Sequence, residues 1–371
     1  MNRKQIILGA VVLVALAVFV VWVRHRIDFD FGLFVGQLSK ADWRKIVIGL
    51  LCIYAGYIFR SVRWALLLRH TKRVPVLSLV GTQVIGFTAV ALIGRVADLV
   101  RPYLVARRTG LELSSQIAVY VVERLFDFGA MGVIFSLAVL QVPSGDIETA
   151  IHHSARLTAL SQHAPEWVAP FAFRYGALIL TLFGAMFLVG IRLAGETIAR
   201  FFESAIGLVS KSLGHSVGHK IRVFHAGLDT IRSFGEFATT AALSIAMWGL
   251  IAMAYFDGMR AFTASRQLAT INPGQCVLLM VVSGGASALQ LPVLGWFTQI
   301  GVVAAAITGF FGAAPEASTA CAATLLIVTF LGIVPVGLIW AQVDGVKLKS
   351  ITHESELAGE GLMEEDARAL D

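Results

Sequence analysis

An all-α, polytopic integral membrane bundle is the fold class this sequence predicts, on three observations. Hydrophobic residues make up 57% and charged residues 15% of 371 positions, against roughly 45–50% and 25% in soluble domains, and the mean hydropathy is +0.77. Several apolar runs reach the about 20 residues that a helix needs to cross a bilayer. The short alternating segments of a membrane β-barrel do not appear.

The elements follow in order. Arg3 and Lys4 precede an apolar run from Ile6 to Val23, which Arg24, His25 and Arg26 stop. Its core is longer than that of a cleaved signal peptide and no small-residue cleavage site follows, so it reads as a retained first span. Further apolar runs lie at Ile46 to Leu68, Val76 to Ile93, Ile117 to Val142, Phe171 to Arg192, Phe237 to Phe256, Cys276 to Leu291, Gly295 to Gly312 and Ala317 to Ala341. Between Glu196 and Phe237, Phe201, Phe202, Ile206, Val209, Leu213, Ile221, Phe224, Leu228 and Ile231 interleave with Arg and Lys. That pattern predicts a basic amphipathic segment lying in the interface plane.

Loop charges set the orientation. Pro143 to Pro170 carries one basic residue, Arg156, whereas Arg192 to Glu236 carries six, which places the first loop outside and the second in the cytoplasm. With the N-terminus inside, two spans return the chain to the cytoplasm at Arg69, Lys72 and Arg73, yet the run at Ile117 must also start inside. Val76 to Ile93 therefore cannot simply cross. The same difficulty recurs around Leu291-Pro292-Val293-Leu294-Gly295. Two re-entrant pairs of half-helices, one entering from each side, resolve both, and they make the halves of the chain an inverted repeat. Such broken helices are tolerated where they line a cavity, and their matching positions point to a transporter's central site. The simpler alternative has all nine runs spanning with one violation of the charge rule.

Residues 1–343 thus form the transmembrane unit, including the cytoplasmic amphipathic segment 196–236, and residues 344–371 an acidic, disordered cytoplasmic tail. The tail holds 8 acidic and 3 basic residues, which leaves 27 basic against 16 acidic in the first 343, an excess of 11. Basic residues flanking spans are topological signals and headgroup contacts, not nucleic-acid sites. Cys52, Cys276 and Cys321 give neither a disulfide framework nor metal spacing, and His152, His153 and His163 have no supporting ligands. No glycine-rich phosphate loop or Walker-type Lys-Ser/Thr pattern is present. No cofactor or metal is expected.

Charge inside the apolar sequence marks the candidate site. Arg95, Asp98, Arg101, Arg107 and Arg108 follow the run at Val76, and Glu123, Arg124 and Asp127 lie within the run at Ile117. A charge at bilayer depth costs about 3 kcal/mol or more unless paired or hydrated. Asp98 and Arg101, three apart, would share a helix face and pair; Glu123 and Asp127, four apart, would share a face with Arg124 beside them, two carboxylates in need of cationic partners. One reading is a buried ion-pair network that only fixes helix positions. The other is a phosphate site, because the planar guanidinium fork matches phosphate oxygens bidentately. Arg95, Arg101 and Arg124 balance Asp98, Glu123 and Asp127, and Arg60 and Arg63 would tip the balance to positive. Gln290 and Gln299 flank the second break, where amides could contact a headgroup or stabilise the break. Ser283-Gly284-Gly285-Ala286-Ser287 suits close helix packing.

Gly94-Arg95-Val96-Ala97-Asp98-Leu99-Val100-Arg101-Pro102-Tyr103-Leu104, followed by Val121-Val122-Glu123-Arg124-Leu125-Phe126-Asp127, resembles the lysylphosphatidylglycerol synthase transmembrane-region family, also called flippase-like domain proteins. Arg60-Ser61-Val62-Arg63-Trp64 is similar to the family's basic-aromatic end of an early span, and Gln290-Leu291-Pro292 through Gly295 and Gln299 to its Pro-Gly-rich segment. The resemblance covers most of Ile46 to Ala341. Asp98 stands where the family commonly has Glu, and Val293, Leu294 and Gln299 where it often has a Pro-Gly-Gly run ending in Glu. Bifunctional members carry a soluble aminoacyl-transfer domain, whereas about 30 residues follow the last apolar run here, so lipid aminoacylation by this chain is not expected.

The resemblance implies a flippase-like or scramblase-like protein of the inner (plasma) membrane with both termini cytoplasmic. It would move a phospholipid or a polyprenyl-phosphate-linked lipid whose phosphate is held by intramembrane arginines. The expected partners are membrane lipids, with a homodimer or an envelope-biogenesis enzyme as protein partners. Two other classes compete: a non-catalytic accessory subunit for envelope lipid or polysaccharide assembly, and a membrane-embedded transferase. For the latter, Asp257-Gly258 with Arg260 resembles the start of the alcohol-phosphatidyltransferase signature, but the paired downstream aspartates are missing.

Overall fold

Capping residues in the sequence set where the helices begin. In a computed structural model, which describes residues 29–140, 168–207, 218, 233–288, 294–347, 353, 354 and 357, the Asp30 carboxylate accepts from the Gly32 and Leu33 amides to open α1 (Phe31–Ser39). Asp42 accepts from Arg44 to open α2 (Trp43–Leu68). Each satisfies amides that the first helical turn leaves without a partner. After Pro75 comes α3 (Val76–Ile93), which stops at Gly94. At φ 96° that residue occupies a conformation most side chains avoid. A 3-10 turn over Arg95–Leu99 leads into α4 (Val100–Thr109), closed by Gly110 in the left-handed region.

Next come α5 (Leu113–Leu140) and α6 (Val168–Gly207), the latter kinked at Ala194. Ser233 caps α7 (Phe234–Arg260), accepting from the Glu236 amide. After the short α8 (Arg266–Ala269), Asn272 and Gln275 cap α9 (Pro273–Ala288) reciprocally, each side chain accepting from the other's amide. The chain ends in α10 (Leu294–Phe311), α11 (Pro315–Thr329), a 3-10 turn at Leu331–Ile333, and α12 (Val334–Val343).

The apolar run at Ile6 to Val23, most of the outer loop, most of the amphipathic segment beyond Gly207, Gln290 with the rest of the second break, and nearly all of the acidic tail lie outside the described residues. Among the described residues α2, α3 and α7 are long and apolar enough to cross a membrane. The 28 residues of α5 extend about 42 Å at 1.5 Å per residue, more than the roughly 30 Å hydrocarbon core. The last apolar run is not the single straight span the sequence suggested. It is two helices bent by 41°, because Pro335 in the first turn of α12 has no amide to continue the ladder from α11.

Contacts at the two ends of the bundle define its topology. At one end the carboxylate of Glu236 pairs with Arg69 and His70, the Lys72 ammonium donates to the Thr109 carbonyl at 2.6 Å, and Arg108 meets Asp344 at 2.8 Å. At the other, Lys45 donates to the Arg260 carbonyl, the Asp42 amide to Ala261 and the Asp30 amide to Glu316. Hence α2 and α7 run antiparallel. After α2, α3 and α4 form a hairpin that leaves from and returns to the Arg69 end, while α9 and α10 form one that does so at the Arg260 end. Each half is a long helix, a hairpin and a crossing element, and the second half is inverted. The hairpin tips meet inside the bundle, where the Trp296 indole N–H donates to the Ala91 carbonyl at 3.1 Å. Outer faces carry exposed Leu51, Ile58, Phe128, Phe183 and Ile339, as a lipid-facing surface does.

Candidate functional site

Arg60 and Arg63, one turn apart on α2, project across the bundle toward Glu123, Arg124 and Asp127 on α5. Arg60 reaches Glu123 Oε1 at 2.7 Å and Asp127 Oδ2 at 3.5 Å. Arg63 spans both carboxylates as well, at 2.9 Å to Glu123 Oε1 and 2.6 Å to Asp127 Oδ1, and donates to Ser244 Oγ on α7 at 2.6 Å. Arg124 folds back on its own helix to Glu123 Oε1 at 2.7 Å and Asp127 Oδ2 at 2.9 Å. Arg101 completes the set from α4, 3.4 Å from both Glu123 Oε1 and Gln83 Oε1.

Aromatic faces hold the guanidiniums where carboxylates do not. Arg60 and Arg101 both lie over the Phe87 ring, at 4.8 and 4.4 Å from its centroid. Arg101 and Arg124 lie over Tyr120, at 4.9 and 5.2 Å. The negative face of a ring attracts a cation within about 6 Å, so these rings soften the repulsion among the arginines. Room for Arg101 comes from Gly86 on α3, since a Cβ built there would run into the Arg101 side chain. Gly86→Ala should therefore force the hairpin arms apart, costing about 1–3 kcal/mol as overpacked sites do. Gly129→Ala, with open space around it, is the control; thermal unfolding in detergent compares the two.

The charge count decides what the cluster can do. Four guanidiniums share two carboxylates, a net charge of +2 in a place where Arg63, Arg101 and Glu123 side chains are each 1% exposed. Four cations converge on one oxygen of Glu123, while its Oε2 and the Nε atoms of Arg63, Arg101 and Arg124 are buried without a hydrogen-bond partner. Unsatisfied buried donors and uncompensated charge are costly, and a tetrahedral anion with several acceptor oxygens would relieve both. Arg124, at 27% side-chain exposure, marks where the cluster opens.

The structure corrects one expectation and enlarges the site. Arg101 does not pair with Asp98. Gly86 on α3 gives space to its aliphatic stem, and its guanidinium lies between Phe87 and Tyr120, facing Glu123. Arg95 and Asp98 sit on the 3-10 turn after Gly94, with Asp98 half-buried. Gln299 is buried on α10, away from the arginines, and Gln290 lies outside the described residues. Sequence reasoning missed Phe87, Tyr120, Gln83 and Ser244. Tyr120 stood one turn before Arg124 and was legible; the other three come from hairpin and interhelical contacts. Among the described residues no group of His, Cys, Asp and Glu is arranged to hold a metal ion.

A family model described as "Lysylphosphatidylglycerol synthase TM region" matches residues 6–338. No curated protein and no solved structure matches the chain.

Proposed function

The chain belongs to the Lysylphosphatidylglycerol synthase TM region family, and from that premise we propose that it translocates a phosphate-bearing lipid across the inner membrane. The observation that carries the reading is the buried net charge of +2, four arginines against two carboxylates. A lipid phosphate supplies negative charge and oxygen acceptors together, and guanidinium–phosphate hydrogen bonds are among the strong ones in proteins. Its acyl chains would stay in the bilayer while the headgroup crosses between the hairpins. The lipid leaves chemically unchanged, so the protein acts as a transporter and not as a transferase.

Proteoliposomes containing acyl-labelled fluorescent phospholipids test this. Dithionite added outside should bleach inner-leaflet label quickly when the protein is present, with the recovered lipid unaltered by mass spectrometry. Bleaching no faster than in protein-free vesicles would sink the reading and favour an accessory role in envelope assembly.

The proposed orientation places the Arg69 end in the cytoplasm, since Arg69, Lys72, Arg73, Arg107 and Arg108 gather there. Single cysteines at Thr71 and Gly110 should react with an impermeant maleimide only from the cytoplasmic side, and those at Thr270 and Ala314 only from outside. Thr71 and Ala314 labelling from the same side would overturn the inverted arrangement.

A further inference from the structure

The inverted repeat gives the arginine site a counterpart in the second half, and its chemistry is different. Gly86 and Arg101 face each other across the first hairpin, and Ser283 on α9 and Gln299 on α10 face each other across the second. The Gln299 amide donates to Ser283 Oγ at 3.2 Å, and the Tyr255 hydroxyl on α7 donates to the same oxygen at 2.7 Å. All three residues are buried, at 5%, 3% and 5% exposure for Gln299, Ser283 and Tyr255. The second polar atom of the Gln299 amide, its Oε1, is buried without a partner. Turning the amide over would only exchange which atom is orphaned.

A buried amide left half-satisfied costs about 1–3 kcal/mol, so packing alone is a poor reason for a glutamine here. This cluster holds no charge. An ammonium placed in it would be a buried cation with no counter-ion, whereas a hydroxyl donates to Gln299 Oε1 at no charge cost. Position adds to chemistry. Ser244, which touches Arg63, and Tyr255 lie eleven residues apart on α7, about 16 Å. The tip contact between Trp296 and Ala91 stands between the clusters, with Trp296 one turn from Gln299 and Ala91 one turn from Phe87.

We propose that Tyr255, Ser283 and Gln299 form a second headgroup station that takes a hydroxyl donor from a polyol-bearing phospholipid after its phosphate leaves the arginines. The proposal rests on the translocation reading and adds a headgroup preference to it.

The test compares two labelled lipids of equal charge, phosphatidylglycerol, whose headgroup has free hydroxyls, and phosphatidylmethanol, which has none, in phosphatidylcholine vesicles containing the full-length protein. Wild type should move phosphatidylglycerol about tenfold faster, the equivalent of one hydrogen bond. Gln299→Leu and, separately, Tyr255→Phe should slow phosphatidylglycerol selectively, so that the tenfold ratio between the two lipids falls to about one. Equal slowing of both lipids would mean a packing role, and no slowing would mean no station; either overturns the proposal. If wild type moves neither lipid, the translocation reading falls on its own, and native mass spectrometry of lipids retained by the purified chain decides about the station. Preferential retention of phosphatidylglycerol that Gln299→Leu abolishes supports it, and equal retention refutes it.

Discussion

Glu123→Ala is expected to destabilise this protein more than any other single change in the bundle. One oxygen of Glu123 receives Arg60, Arg63, Arg101 and Arg124 at 2.7 to 3.4 Å. Its removal leaves four guanidiniums facing Asp127 alone, a buried net charge of +3. Breaking one partner out of a buried ion pair typically costs about 3–5 kcal/mol, since the remaining charge is left uncompensated. Four arginines sharing the loss put the cost at the upper end. The expected result is a melting transition in detergent lowered far beyond that of Gly86→Ala, with most of the variant aggregated in size-exclusion chromatography. Glu123→Gln keeps the acceptor oxygen and loses the charge, so it should fall between the two. A Glu123→Ala variant that melts with wild type would mean that the carboxylate is not what holds the arginines.

Arg101→Ala should do the opposite, sparing the fold and removing the activity. Its ion pair with Glu123 is the longest of the four, at 3.4 Å, and its other contacts are the neutral Gln83 amide oxygen at 3.4 Å, the Gly86 backbone and the rings of Phe87 and Tyr120. Deleting it lowers the buried charge from +2 to +1, so relief of repulsion offsets much of the lost packing. Phosphate binding has no such offset. Losing two charge-assisted hydrogen bonds of about 1.5 kcal/mol each corresponds to roughly a 100-fold drop in headgroup affinity. The translocation rate should fall by a similar factor while the melting temperature stays within a few degrees of wild type. A folded Arg101→Ala protein that bleaches vesicles at the wild-type rate would exclude the arginine cluster as the phosphate site.

How far the sequence led depends on the kind of interaction. Charge in an apolar run is a local signal, and Arg60, Arg63, Glu123, Arg124 and Asp127 were legible because helical spacing alone puts each set on one face. The return of the chain to the Arg69 end followed from counting basic residues in loops, as Lys72 against Thr109 shows, but Val76 to Ile93 is one unbroken helix and not a pair of half-helices, and the returning arm is the Arg-rich α4. The Asp98–Arg101 pairing failed because it considered spacing within one segment, whereas Gly86, on a neighbouring helix, lets Arg101 lie across α3. Phe87 offered no signal, being one aromatic among many in an apolar run. The bend between α11 and α12 was legible in Pro335, but uniform hydrophobicity from Ala317 to Ala341 masked it. Ser283 read as a packing residue and Tyr255 gave no signal at all until the fold brought Gln299 beside them.

The inverted halves carry one more consequence, an electrical one. The two uncompensated charges lie in the first half, while its counterpart is neutral, so the bundle has a fixed polarity along its long axis. A membrane potential does work on any charge displaced along that axis, about 2.3 kcal/mol for one elementary charge carried fully across 100 mV. If lipid moves as proposed, an anionic headgroup passing from the arginines to the neutral station would cross a fraction of that drop. On the proposed path, the membrane potential would then be one of the forces that sets how long a lipid stays at each.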